Sequence, residues 1–393
     1  MNEADDSGAR ASGRARWRRL IAPCALFGAA FVLQTVAGFY PARVDALYSR
    51  GAYMYIAGAL AFVNKFYAYS LAEALTLLLA ACLAGWLAWQ GRRLYLRRVR
   101  VGALLFSSLL RALWLAGAGL WVFLLIWGLN YQRAPLSATL GMERREATAE
   151  ELETISRAIV EGVNRSYEET HAGAGEDGAS RLTLTRAQLY AELSDAYRRV
   201  TLTGVGGEVD FGPPKPVYFS GLMSRMQVSG IYSPLTGEPN FNAQMPDADL
   251  PFTIAHEIAH QRGFAREDEA SFVAFVACTA SPHPYVRYSA YLNALGVLNI
   301  HARVAPERAR EIFASLAQGP RADMRARVLF WRRHQGSLGR MTQSLNNAYL
   351  KANRVKSGVR NYNEVNRLII GYYLLLKTRE AGQTTTPNAH RED

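Results

Sequence analysis

The chain has 393 residues, 50% of them hydrophobic and 20% charged, with 45 Lys+Arg against 33 Asp+Glu for a net charge of +12. That apolar content excludes a disordered or collagen-like chain, and the length allows two or three domains. A basic balance invites a nucleic-acid reading and a mean hydropathy of −0.06 invites a soluble one, but both are averages over unlike parts of the chain.

The basic excess is local. Residues 1–129 hold 14 Lys+Arg and 5 Asp+Glu (+9), whereas the remaining 264 hold 31 and 28 (+3). The same first third carries three apolar runs, at residues 20–40, about 71–89 and about 113–129. Each is long enough to cross a hydrocarbon layer of about 30 Å as a helix. Trp17, Tyr40, Trp86, Trp89 and Tyr131 mark their ends, as interfacial aromatics do. A cleavable signal peptide is the alternative for the first run, but its length and the two spans that follow favour an uncleaved anchor.

Charge flanking sets the expected orientation. Arg14, Arg16, Arg18 and Arg19 precede the first span, and Arg92, Arg93, Arg97, Arg98, Arg100 and Arg111 lie between the second and third. The positive-inside rule then places a basic arm, residues 1–19, and the second connection in the cytoplasm, and everything after Asn130 outside. The expectation is a multi-pass protein of the cytoplasmic (inner) membrane. Residues 41–70, rich in Tyr, Ala and Phe, read as interfacial or re-entrant helix rather than a fourth span. Cys24, Cys82 and Cys278 form no CxxC pair, so neither a disulfide framework nor a cysteine zinc site is expected.

Beyond the membrane domain (20–130), residues 131–380 read as an extracytoplasmic domain and 381–393 as a polar, disordered tail. Thr148 with Glu151 spells a capping box before an amphipathic helix to about residue 169, and Thr185 with Gln188 repeats it before a helix to about 200. A Gly-rich loop, 173–178, separates them. Gly204, Gly206, Gly207, Gly212 and the run Pro213-Pro214-Lys215-Pro216 exclude a helix. β-like pieces at 217–220, 227–232 and 239–242 suggest a small sheet. After Pro251 the chain reads as helical almost to its end, with breaks at Gly263, 281–284, Pro306, Gly319-Pro320, Gly336 and Gly358.

The chemistry concentrates in PFTIAHEIAHQRGFAREDEASFVAF, residues 251–275. His256, Glu257 and His260 form HExxH. Residues four apart share a helix face, so both imidazoles can bind one metal while Glu257 reaches a water beside it. Pro251 and Asp249 are helix-start signals. Ile254 and Ile258 fall on the opposite face. Zinc needs a third protein ligand with the fourth position left to water. Glu267 and Glu269 both qualify but point about 200° apart on a helix; Glu267 is favoured, Glu269 is its rival and Asp268 comes last. Ser271, one turn beyond Glu267, is placed to buttress the site. The bland alternative is a solvated helix with two ordinary histidines and acidic residues that favour a helix N-terminus.

The segment HEIAHQRGFAREDEASF resembles the bacterial membrane-protein family catalogued as domain of unknown function 3810. So do FYPARVDALYSRGAY, YSLAEAL, GIYSPLTGEPNFN and NAYLKANRVKSGVRNYNEVNRLI, and the likeness covers most of residues 30–380. It departs at Ser271, where the family is expected to carry Asn. The resemblance implies a membrane-anchored, zincin-like protein.

The fold class expected is therefore mainly α, with three N-terminal transmembrane helices followed by an α+β zincin-like domain with a small β-sheet. The function expected is zinc-dependent peptide hydrolysis, by a zinc-activated water with Glu257 as general base, on a peptide or protein substrate in the cell envelope. A strand near 227–232 or 238–242 is placed to pair with an extended peptide. Tyr232, His283 and His301 are candidates for oxyanion stabilisation, each with a packed or solvated role as the plainer reading. Rival readings are a zinc amidase acting on cell-wall peptides and a silent zincin-like scaffold, which the intact Glu257 disfavours. An intramembrane protease is disfavoured by Asp247, Asp249, Arg262 and Arg266 around the motif. No nucleic-acid partner is expected.

Overall fold

A computed structural model describes residues 3–142, 145–171, 173, 175, 178–200, 211–353 and 362–384. The described chain is mainly helical, with one small mixed sheet. It divides into two compact units. The first comprises Met1–Ile56, Leu71–Arg133 and Pro234–Thr236, and the second Ala57–Ser70, Ala134–Ser233 and Gly237–Asp393.

The first unit is built on long helices. It contains α1 (Glu3–Phe39), α2 (Pro41–Arg43), a π-helical stretch (Val44–Ala52), the start of α3 (Tyr53–Asn64), α4 (Leu71–Tyr95) and α5 (Val101–Ile126). Arg19–Phe39, α4 and α5 are long and apolar enough to cross a membrane, which marks a membrane-associated protein. The third of these begins at Val101 rather than near residue 113, because 101–110 is itself apolar. Arg111 therefore lies inside α5, and only residues 96–100, with Arg97, Arg98 and Arg100, connect α4 to α5. Helices α1 and α5 pack closely: Trp121 Nε1 donates to Leu26 O at 3.0 Å, and a Cβ on Gly117 would meet Leu26 Cδ2 at 2.8 Å. Buried Asp45 pairs with Arg50 at 2.9 Å and Arg133 at 2.8 Å.

The second unit holds α6 (Leu136–Thr139), α7 (Ala149–Thr170), α8 (Arg186–Arg199), β1 (Lys215–Pro216), α9 (Ser220–Arg225), β2 (Gly230–Ser233), β3 (Glu238–Phe241), α10 (Leu250–Gln261), α11 (Glu267–Thr279), α12 (Pro284–Ala294), α13 (Val297–Val304), α14 (Pro306–Ala314), α15 (Gln318–Arg333), α16 (Ser337–Ala352) and α17 (Tyr362–Thr384). Both expected capping boxes form, at Thr148/Glu151 and Thr185/Gln188. Helix α11 is buried all round from Glu269 to Cys278. Leu152, Ile155 and Ile159 of α7, Leu189 and Leu193 of α8, and Val286 and Tyr288 of α12 share its core.

The sheet runs β1-β3-β2, with β1 parallel and β2 antiparallel to β3. Its strands are offset from the sequence expectation. The first is Lys215–Pro216 rather than 217–220, and an edge strand tolerates the missing N–H of Pro216. Between β1 and β2 the chain turns helical in α9. Val228 N closes back onto Met223 O at 2.9 Å and Gln227 takes φ +59°, so β2 cannot begin before Gly230.

Residues 57–70 were expected to belong with the membrane domain, yet they fold with the second unit. Their polar groups explain it. Asn64 Nδ2 donates to Gly237 O at 3.2 Å, and Ser70 Oγ donates to Asn240 Oδ1 at 2.6 Å. Buried Lys215 donates to the carbonyls of Asn64, at 3.2 Å, and Tyr67. These bonds satisfy groups that would otherwise be buried without partners.

Two further boundaries move. Helix α15 starts at Gln318 with Gly319 and Pro320 in its first turn, where Pro is tolerated. Helix α17 runs to Thr384, into the segment expected as a disordered tail. The expectations at Gly204, Gly206, Gly207, Gly358 and 385–393 lie outside the described residues.

Candidate metal centre

The site is assembled by two helices and the turn between them. Helix α10 opens with Pro251 in its first turn. Asp249 precedes it without capping it through its side chain, which pairs with Arg327 instead. Ala255, Ile258 and Ala259 are buried, and Tyr197 OH donates to Ala255 O at 2.5 Å. That anchorage fixes the face carrying His256 and His260, whose rings meet edge to face with centroids 4.6 Å apart. Gly263, at φ +84°, ends the helix in a left-handed turn, and its N–H bonds to His260 O at 3.0 Å. The chain then re-enters a helix at Glu267.

This turn brings Glu267 back to the histidines. Its Oε2 lies 3.1 Å from His256 Nε2 and 3.7 Å from His260 Nε2, and one ligand atom from each residue lies within 4.8 Å of the others. Each ring is held from behind at its other nitrogen. His256 Nδ1 meets Ser271 Oγ at 3.0 Å, and His260 Nδ1 meets the Phe264 carbonyl at 2.7 Å. Both Nε2 atoms therefore face Glu267. Two ligand atoms in a tetrahedral zinc shell stand about 3.4 Å apart, from bond lengths near 2.1 Å. The observed distances bracket that value, so the donor set fits a zinc ion.

Glu269 takes a different post. Its Oε1 accepts from the Leu136 backbone N–H at 2.8 Å and from Arg266 Nη1 at 3.3 Å. It secures the start of α6, and the cluster with both histidines forms on Glu267.

Electrostatics follow from burial. The carboxyl of Glu267 resists ionisation through burial, but the two imidazoles outweigh this and hold it well below the usual carboxylate range. Burial likewise opposes charge on His260, yet the Glu267 carboxylate raises it to about 9. His256 is lowered, chiefly by burial, with the Glu267 hydrogen bond opposing. Glu257 is pushed up to about 8 by burial. It is 4% exposed, its Oε2 has no hydrogen-bond partner, and the Tyr232 backbone N–H bonds to its carboxylate. Strand β2 lies against it, and a Cβ on Gly230 would meet Glu257 Oε1 at 2.4 Å.

The residues expected at the site divide clearly. His256, His260 and Glu267 converge, with Ser271 behind His256 and Glu257 beside β2. His283 and His301 do packing work: His283 accepts from Tyr285 N–H at the start of α12, and His301 Nδ1 meets Ser156 Oγ at 3.1 Å. Tyr232 contributes its backbone rather than an assigned side-chain role. The Phe264 carbonyl and Gly230 were not anticipated, because both act through backbone placement.

The family model described as a protein of unknown function (DUF3810) matches residues 48–370. The chain belongs to this family. Comparison with curated proteins and with solved structures gives no match. The family match spans both units, from the π-helical stretch to α17, and includes every residue of the His-His-Glu cluster.

Proposed function

We propose that the protein is a membrane-anchored, zinc-dependent metallopeptidase with a zincin-like catalytic unit. The observation that carries this reading is the convergence of His256, His260 and Glu267 beside a buried Glu257 whose Oε2 lacks a partner. A zinc ion held by these three residues would supply Lewis-acid polarisation of the scissile carbonyl and activation of a water. Glu257 accepts the water's proton at Oε2 and delivers it to the leaving amine. Ser271 and the Phe264 carbonyl hold the imidazoles in the orientation that keeps both Nε2 atoms forward. The backbone of Gly230 and Tyr232 turns toward the open edge of β2, since the carbonyls of Ser229 and Ser233 are bonded on the β3 side. An extended peptide adding along that edge would pass over Glu257.

The topology belongs to the same reading: a multi-pass protein of the cytoplasmic membrane, with its N-terminus in the cytoplasm and the second unit outside. Arg97, Arg98 and Arg100 in the α4–α5 connection support it. So does the folding of 57–70 with the second unit, because three spans place the first connection and the C-terminal region on one side.

The test is zinc stoichiometry on the purified protein, with comparative proteomics of the cell envelope, wild type against Glu257→Gln. One zinc per chain and protein fragments lost in the variant are expected. Absence of stoichiometric zinc, or identical envelope peptides in both strains, overturns the reading.

A further inference from the structure

The second unit carries exposed aromatic and apolar side chains on two neighbouring segments. Phe62, Phe66, Tyr69, Tyr218, Phe219 and Leu222 are all exposed, Phe66 by 66% and Tyr218 by 87%. They come from two segments that the sheet holds together. Lys215 bonds the Tyr67 carbonyl, three residues before Tyr218, and Ser70 bonds Asn240 of β3. The charge is one-sided. Residues 57–70 contain Lys65 and no acid, and residues 217–233 contain Arg225 and no acid. Helix α7 of the same unit, by contrast, carries six acidic residues and two arginines.

The chain itself indicates what covers this surface. Ser70, bonded into the sheet, is followed directly by Leu71, the first residue of a 25-residue membrane-spanning helix. No linker separates them. A residue at the start of a span sits at the headgroup level, and exposed aromatics with basic and no acidic neighbours suit an anionic lipid interface.

We propose that this aromatic face of the catalytic unit lies on the bilayer surface, so that the metal centre acts on polypeptide segments of membrane-anchored substrates close to the lipid. The lipid contact stands on its own, and the substrate class rests on the peptidase reading above. Reach supports the second part. From Ser70 the path runs through one hydrogen bond to β3, then one strand spacing to β2, against which Glu257 lies. With strands about 4.8 Å apart, that is on the order of 10–15 Å from the point of membrane entry. Ile231, 56% exposed, places a further apolar side chain on β2, the strand at whose edge a substrate would add.

The experiment uses the full chain in vesicles of phosphatidylethanolamine and phosphatidylglycerol containing lipids spin-labelled near the headgroup. Cys24, Cys82 and Cys278 are replaced by alanine, and single cysteines at Phe66→Cys, Tyr218→Cys, Leu222→Cys and, as a control, Arg310→Cys carry a small fluorophore. Quenching at the first three sites is expected to exceed that at Arg310→Cys by about threefold or more. Equal quenching at all four overturns the lipid contact. In parallel, unlabelled zinc-loaded protein in the same vesicles receives a fluorogenic peptide library, each member either free or palmitoylated. Anchored peptides are expected to be cut about tenfold faster or more, through their higher local concentration. Equal rates overturn the substrate class. Cleavage of neither form sinks the peptidase reading, and the substrate class with it, while quenching still decides the lipid contact.

Discussion

Gly230 faces Glu257 so closely that any side chain at this position would occupy the space of the carboxylate, with a Cβ 2.4 Å from Oε1. The strand and the helix are therefore fitted to each other at the one atom group proposed to move protons. Gly230→Ala is expected to lower kcat about 100-fold, because a displacement of about 1 Å in a catalytic group has that effect. Zinc content should be unchanged. Loss of zinc in this variant would show that Gly230 supports the ligands rather than Glu257.

The ligands and the proton carrier should separate experimentally. Glu257→Gln is expected to retain stoichiometric zinc and lose about 100- to 10,000-fold in peptide hydrolysis. His260→Ala is expected to lose the metal outright. Metal analysis of the two purified variants, beside a peptidase assay, checks both.

The two rival glutamates make opposite predictions. Glu267→Ala removes a member of the cluster and is expected to abolish zinc binding. Glu269→Ala is expected to keep zinc and instead destabilise the protein by about 1–3 kcal/mol, because the buried Leu136 N–H loses its acceptor. Thermal unfolding and zinc titration of both variants assign the third ligand.

Ser271 tests the support behind His256. Ser271→Ala is expected to weaken zinc about 10- to 100-fold, the usual effect of losing a partner that orients a metal-bound histidine. Ser271→Asn, which restores a hydrogen-bonding group there, is expected to recover most of the affinity. Competition with a chromogenic chelator measures both.

Acid stability should depend in part on Glu151. Its carboxyl is held down to about 2, first by the Arg145 hydrogen bonds and then by the Thr148 backbone N–H. A folded pKa below the unfolded value contributes stability that is fully present above the unfolded pKa and lost as pH falls through the folded one. The loss is expected between about pH 5 and pH 2. Glu151→Gln keeps the cap but removes the charge, so its unfolding temperature should fall less steeply than wild type over that interval. Parallel curves for the two proteins would remove Glu151 from the account.

What could be read in advance has a common physical basis. HExxH, the two capping boxes and the three apolar runs are patterns within one helix, where spacing alone sets direction. Glu267 could be narrowed only to a pair, since its position depends on the turn at Gly263 as well as on helix periodicity. Glu269 has the same chemistry one strand of reasoning away, and only the Leu136 N–H decides between them. The strand offsets have a local cause in the α9 turn, which Gln227 closes in a left-handed conformation that its residue type does not advertise. Residues 57–70 were misplaced because their partners, Lys215, Gly237 and Asn240, lie about 150 residues or more away, beyond any local pattern.

That last arrangement bears on how the protein can be shed or processed. A protease cutting after Arg133 would sever the link from the last membrane helix, yet it would not release an intact second unit. Asn64 and Ser70 would remain bonded into the sheet while joined through Leu71 to another span. Freeing the unit whole requires two further cuts, before Ala57 and after Ser70, because that segment runs into a membrane helix region on each side; leaving it behind removes two of the sheet's buried partners. The second unit is thus tied to the membrane helices at Ile56, Leu71 and Arg133, and two of these ties flank a segment that is part of its own fold.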